Sequence, residues 1–209
     1  IIAAHPDDEV LGMGGTIKKL SKKNRIMLGV ISEGASAQYI DKKMIEIRKK
    51  AAINSGKVLG ISKFEFINFS DGLLDKKSQL EINKEIEKMI VKFNPKIVYT
   101  TPSNDLHKDH QIVYESTLVA TRPLSSNVKS VLSYEIPGIV KTPFNPNIFE
   151  NIESELIYKI KAFKEYKSEL TKFPHPRSIQ AIKTLSEFRG MQSGMNNAEA
   201  FELIHTINS

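Results

Sequence analysis

The chain contains no cysteine. That removes thiol nucleophiles, disulfides and Cys-ligated zinc together, so any metal must be held by histidine and carboxylate. No apolar run approaches the roughly 20 residues a membrane span needs, and no secretory leader is visible. Both absences point to a cytoplasmic protein, with room left for residues ahead of Ile1, because the chain starts inside an apolar run. Arginine is scarce: Arg25, Arg48, Arg122, Arg177 and Arg189 are the whole set. In a chain that uses lysine for solubility, an arginine is placed for its planar, bidentate fork. The formal charge of +6 comes from scattered lysine doublets such as Lys18-Lys19 and Lys42-Lys43. They lack interleaved aromatics, so solvated helix faces explain them better than a nucleic-acid partner does. Repeats, low-complexity tracts and linkers are missing too, and 209 residues are most economically one domain with a real core.

What is present alternates. Ile1 to Ala4, Arg25 to Ser32, Phe64 to Phe69, Lys96 to Thr101 and Val131 to Ile136 read as strands. Val10 to Lys23, Ile40 to Gly60, Leu80 to Phe93 and Gln111 to Arg122 read as helices between them. The alternation predicts a Rossmann-like, doubly wound α/β fold: a mostly parallel sheet of five to six strands with flanking helices. Beyond a Pro-rich connection over 137–146, helices are expected over Leu156–Leu170, Ser178–Arg189 and Asn197–Ile207, with a rigid turn from Phe173 to Ser178.

Two clusters carry chemistry. His5-Pro6-Asp7-Asp8-Glu9 follows the first strand. Acids at a helix start are commonly only caps, but an imidazole beside them supplies ligand types for a divalent metal. Asn104 to His110 follows the fourth strand, and His107 and His110, three apart, share a helix face. In a sheet of order 3-2-1-4-5 the loops after strands one and four face each other across the switch point, where such folds bind ligands. The two clusters are therefore predicted to meet in one crevice. Asp105 either caps the helix or orients an imidazole. The prolines flanking His175 either shape a corner or present His175 and Arg177 to a ligand. Gly12-Met13-Gly14-Gly15 has its third glycine misplaced for a dinucleotide turn.

Ala4 to Glu9, an intact A-H-P-D-D-E, and Asp105 to His110, of the form D-x-H-x-D-H, resemble the hallmark motifs of the PIG-L / LmbE-like zinc-dependent N-deacetylases. Weaker matches follow in order: Arg48, Asp71-Gly72 with Leu74, Arg189-Gly190, Gly194 and Ala198 to Phe201. Ala51 and Glu169 stand where many members carry Glu and Gln, which bears on substrate identity. The resemblance implies an LmbE-like fold and one metal-dependent deacetylase domain over 1–209, with C-terminal helices of 154–209 completing the substrate side. It implies His5, Asp8 and His110 as ligands of Zn2+ and Asp7 as general base. His107 would polarise the scissile carbonyl or protonate the leaving amine, oriented by Asp109 or Asp105. Two histidines and a carboxylate leave a position for a metal-bound water nucleophile, whose pKa falls to about 7; other divalent metals, iron, cobalt or manganese, suit the same shell. The implied substrate is a small-molecule N-acetylated sugar or conjugate, met by Arg48 and Asp71 and further by His175 and Arg177. The alternatives are a metallo-amidase acting on another N-acyl or thiol conjugate, and a non-catalytic sugar-binding protein. Assembly into a homo-oligomer stays open.

Overall fold

In the computed structural model, which describes residues 1–138 and 140–208, each early apolar run becomes a strand and each amphipathic stretch a helix. The order is β1 (Ile2–Ala3), α1 (Asp8–Leu20), β2 (Met27–Ser32), α2 (Lys43–Leu59), β3 (Lys63–Phe69), α3 (Gln79–Phe93), β4 (Ile97–Thr100) and α4 (Lys108–Ala120). Then come β5 (Ser130–Tyr134), β6 (Ile148–Asn151), α5 (Leu156–Phe163), α6 (Ile179–Ser193) and β7 (Ala198–Thr206). The fold is α/β. β2 is buried along its whole length: Leu28 and Val30 join one apolar cluster with Val10, Met13 and Phe163, while Met27 and Ile31 join a second with Ile86 and Val113. Layers thus cover both faces, as a parallel sheet requires.

Two expectations are corrected. The strands do not form one sheet of five to six. β1-β2-β3 make a three-stranded parallel sheet and β4-β5-β7-β6 a separate four-stranded one. β1 lies against β4, but it is two residues long. Its Ile2 carbonyl accepts a hydrogen bond from the Tyr134 hydroxyl at 3.1 Å instead of extending a ladder. The second correction is Asn197–Ile207, which is the strand β7 and not a helix. β7 pairs antiparallel with β5, Leu132 opposite Leu203, and with β6, Phe149 opposite Ala200. Its Ala, Glu and Leu content favours a helix by propensity, but partners distant in sequence override that weak preference. α5 also ends at Phe163, seven residues before the expected Leu170, and the released chain turns back toward the first cluster.

α1 is broken at Met13 (φ −144°, ψ 25°). The buried N–H groups that open its second half are satisfied by Glu199 of β7, which accepts from Gly15 and Thr16 at 2.9 and 2.7 Å. Lys159 Nζ donates to the same carboxylate at 2.7 Å, and both partners are buried. The glycine run serves close packing: a Cβ on Gly12 would sit 2.3 Å from a Tyr134 ring carbon, and one on Gly15 2.7 Å from Ile152.

Candidate metal centre

The first cluster occupies the turn from β1 into α1. Asp7 has φ 117°, uncommon for a residue other than glycine, and this twist sends the neighbouring Asp7 and Asp8 side chains to different partners. The second cluster opens α4, whose N-cap is His107. The two meet as expected. His5 Nδ1 lies 3.2 Å from His110 Nε2 and 3.6 Å from Asp8 Oδ2, and Asp8 Oδ1 lies 3.4 Å from His110 Nε2. Bonds of about 2.0–2.2 Å in a tetrahedral site separate ligand atoms by roughly 3.3–3.6 Å, and these spacings, taken to the two different oxygens of Asp8, are of that order. Asp8 Oδ2 also accepts the His5 N–H at 2.8 Å, while its buried Oδ1 has no hydrogen-bond partner. Such an orphaned oxygen is costly unless something binds it. His107 also brings a ring nitrogen near the other two imidazoles, but it is exposed and its Nδ1 accepts the Asp109 N–H at 3.3 Å.

Each imidazole that faces the centre has a carboxylate behind it, the arrangement that fixes ring orientation at metal sites. His110 Nδ1 meets Asp105 Oδ2 at 2.7 Å. His5 Nε2 stands 3.1 Å from both Asp109 Oδ2 and Asp71 Oδ1. Asp109 is itself held by the Gly72 and Leu74 N–H groups at 2.9 and 3.2 Å, which ties the loop after β3 to α4. The side chains of Asp109 and Asp105 therefore stand behind His5 and His110, whereas the expected partner was His107. Asp105 is not the N-cap either, a place taken by His107, although its Oδ1 accepts the His107 N–H at 2.8 Å.

Burial opposes charge on every member, and the neighbours decide the outcome. Burial lowers the His5 pKa, but hydrogen bonds to Asp109, Asp71 and Asp8 carry it well above its ordinary value. His110 is likewise lowered by burial and raised further by the Asp8 charge and the Asp105 bond, to about 9. Asp8 is pushed up by burial yet held well below the usual carboxylate range by His110 and His5. His107 goes the other way: burial and then the charges of His5 and His110 lower it. Glu9, fully buried, is raised to about 8 by burial, against the pull of a 2.6 Å bond from Tyr166 and with the Asp7 charge adding to the rise.

Asp7 sits in a separate network. Its Oδ2 accepts from Arg177 Nε at 2.8 Å, and Arg48 Nη2 approaches the same oxygen at 3.7 Å. Asp7 Oδ1 is buried without a partner. Arg48 donates to the Pro6 carbonyl at 2.8 Å and pairs with Glu169 at 3.2 Å, and Tyr39 Oη donates to Glu169 at 3.2 Å. Arg48, Asp71 and Arg177 are thus all brought to the centre. His175 is exposed, with its Nδ1 accepting the Arg177 N–H at 3.0 Å, and no described contact joins it to the centre. Sequence reading missed Tyr166, and it missed Glu33, whose carboxylate accepts the Ser36 and Asp71 N–H groups at 3.1 and 3.2 Å. The signal for Glu33 was its place in a turn at the carboxyl end of a buried strand.

The protein is thus an α/β fold in which histidines and carboxylates that could hold a metal ion converge at the carboxyl ends of parallel strands. The profile of the family described as "PIG-L: GlcNAc-PI de-N-acetylase" matches residues 1–121, a span that contains both clusters, and the chain belongs to that family. YaiS of Escherichia coli K12, described as an uncharacterized deacetylase, is 30% identical over 80% of this chain and 89% of its own length. The diacetylchitobiose deacetylase of Thermococcus kodakarensis is 24% identical over 99% of this chain and 82% of its own. Among solved structures, the N,N'-diacetylchitobiose deacetylase from Pyrococcus horikoshii shares the fold, with a TM-score of 0.82 at 24% identity, covering 98% of this chain and 82% of that one.

Proposed function

We propose that this protein is a metal-dependent N-deacetylase that hydrolyses the acetamide of an N-acetyl amino sugar or sugar conjugate to acetate and a free amine. The reading rests on one observation above the others: His5, Asp8 and His110 converge at ligand spacing with the Asp8 Oδ1 left unbonded. Membership of a family of deacetylases supports it. His5, Asp8 and His110 hold the cation, with Zn2+ the best match to two imidazoles and a carboxylate. When bound, the cation supplies Lewis-acid activation of water and of the amide carbonyl.

The chain's own groups do the rest. Asp7 is clamped through Oδ2 by Arg177, so the unbonded Oδ1 is the atom that takes the proton of the attacking water. His107 Nδ1 is occupied as the acceptor of an N–H, so its proton, when it is neutral, resides on Nε2. Neutral His107 therefore donates an Nε2–H hydrogen bond to the carbonyl oxygen as it gains charge, and the proton taken up by Asp7 passes to the departing nitrogen, directly or through His107. Asp105 and Asp109 orient His110 and His5. On the substrate side Arg48 keeps a buried Nε without a partner, a donor for a sugar hydroxyl or appended phosphate, with Asp71 beside it and His175 at the rim. Residues 1–209 act as one domain in this reading, with the segment from α5 to α6 closing the substrate side through Glu169 and Arg177. Metal analysis combined with acetate release on free, lipid-linked and nucleotide-linked N-acetyl sugars tests it. A chain that binds metal stoichiometrically and frees no acyl product from any of them is not a deacetylase.

A further inference from the structure

The loops after β1, β2, β3 and β4 emerge at the same end of the parallel strands, the end that carries His5 and His110. The connection from α5 to α6 is drawn to that end by Arg177 on Asp7 at 2.8 Å and by Tyr39 on Glu169 at 3.2 Å. Four of these segments hold an apolar side chain out in solvent. Ile40 is 103% exposed, Phe173 61%, Leu106 52% and Leu73 49%. Exposed apolar residues scattered singly need no explanation, but a set carried by the loops at one end of the strands does. Each stands within three residues of an exposed lysine: Lys42, Lys76, Lys108 and Lys172. Over the same loops the exposed acids are only Asp41 and Asp75. Of the lysine doublets, Lys42-Lys43 stands at the start of α2 and Lys76-Lys77 at the end of a short 3-10 turn after β3, each near an apolar tip.

We propose that this face docks on an anionic lipid surface. Ile40, Leu73, Leu106 and Phe173 enter the headgroup layer, and the neighbouring lysines reach the lipid phosphates, which brings the mouth of the crevice to the lipid–water boundary. Apolar anchors and basic groups are the two signals that peripheral attachment needs together. A two-fold contact between copies would place this basic face against its own image, which like charge opposes.

The test is co-sedimentation of the full chain with vesicles of phosphatidylcholine alone or with added phosphatidylglycerol. The anionic vesicles should take up about tenfold more protein, less as salt rises. The double variant Ile40→Asp/Phe173→Asp should lose about tenfold in partition while its circular dichroism spectrum is kept. A second double variant, Ile157→Asp/Met191→Asp, removes apolar side chains exposed on α5 and α6 (both 70%) and should bind like the unaltered chain. Equal uptake by both vesicle types, equal loss in the two variants, or concentration-dependent self-association abolished by Ile40→Asp/Phe173→Asp would overturn the proposal, the last by assigning the face to a second copy of the chain.

Discussion

Replacing Glu199 by glutamine should uncouple the second half of α1 from the sheet beneath it. The carboxylate accepts two backbone N–H groups at 2.9 and 2.7 Å and the Lys159 ammonium at 2.7 Å, and Glu199 and Lys159 are each 4% exposed. Glutamine keeps one acceptor oxygen, so one N–H loses its partner and Lys159 loses its counter-charge. Breaking a buried pair from one side costs about 3–5 kcal/mol. The charge-assisted bonds, about 1.5–3 kcal/mol each, are part of that figure and not additional to it. Against a total stability of about 5–15 kcal/mol the loss is large. Urea unfolding of Glu199→Gln, Lys159→Met and the double variant reads it. Each single change should cost about 3–5 kcal/mol, and the double change about as much as one single, since neither charge is then buried alone, giving a coupling of about 3–5 kcal/mol. Singles below about 1 kcal/mol, or a double equal to their sum, would refute the claim that the break in α1 is held from β7.

Asp7→Asn should lower kcat about 10²–10⁴-fold with metal content unchanged, and full activity in that variant removes Asp7 from the role of base. Arg177→Ala should lower kcat more than it raises KM, with Arg177→Lys recovering part of the loss; an effect on KM alone would return Arg177 to the substrate-binding role that its sequence context suggests. Metal uptake should expel protons. Ligating histidines must be neutral, and the pKa of His110, about 9 without metal, lies above neutrality. Calorimetry at pH 7 in buffers of different ionisation enthalpy should find at least one proton released per metal, with affinity weakening as pH falls. Release of none contradicts the assignment of His110.

The meeting of the two clusters was legible because the histidines and carboxylates stand in short runs at strand ends, where an α/β topology predicts convergence. Their supporting partners were not. Arg177 is 170 residues from Asp7 and Glu199 184 from Gly15, and no local pattern announces a contact between residues so far apart. Asp109 points to His5 and not to its neighbour His107, because the Gly72 and Leu74 N–H groups hold its carboxylate. The two-sheet arrangement was hidden in the length of β1: two paired residues are too few to show in hydropathy that the ladder stops. β6 escaped notice for a related reason, being four residues long with none fully buried.

His5 and Asp8 hang from the three-stranded sheet and His110 from the four-stranded one, and no ladder joins β1 to β4 among the described residues. A cation gripping all three would therefore work as a rivet through the joint between two plates. Its coordination would add one more tie across a joint already spanned by apolar packing, since residues of both sheets share each of the two apolar clusters.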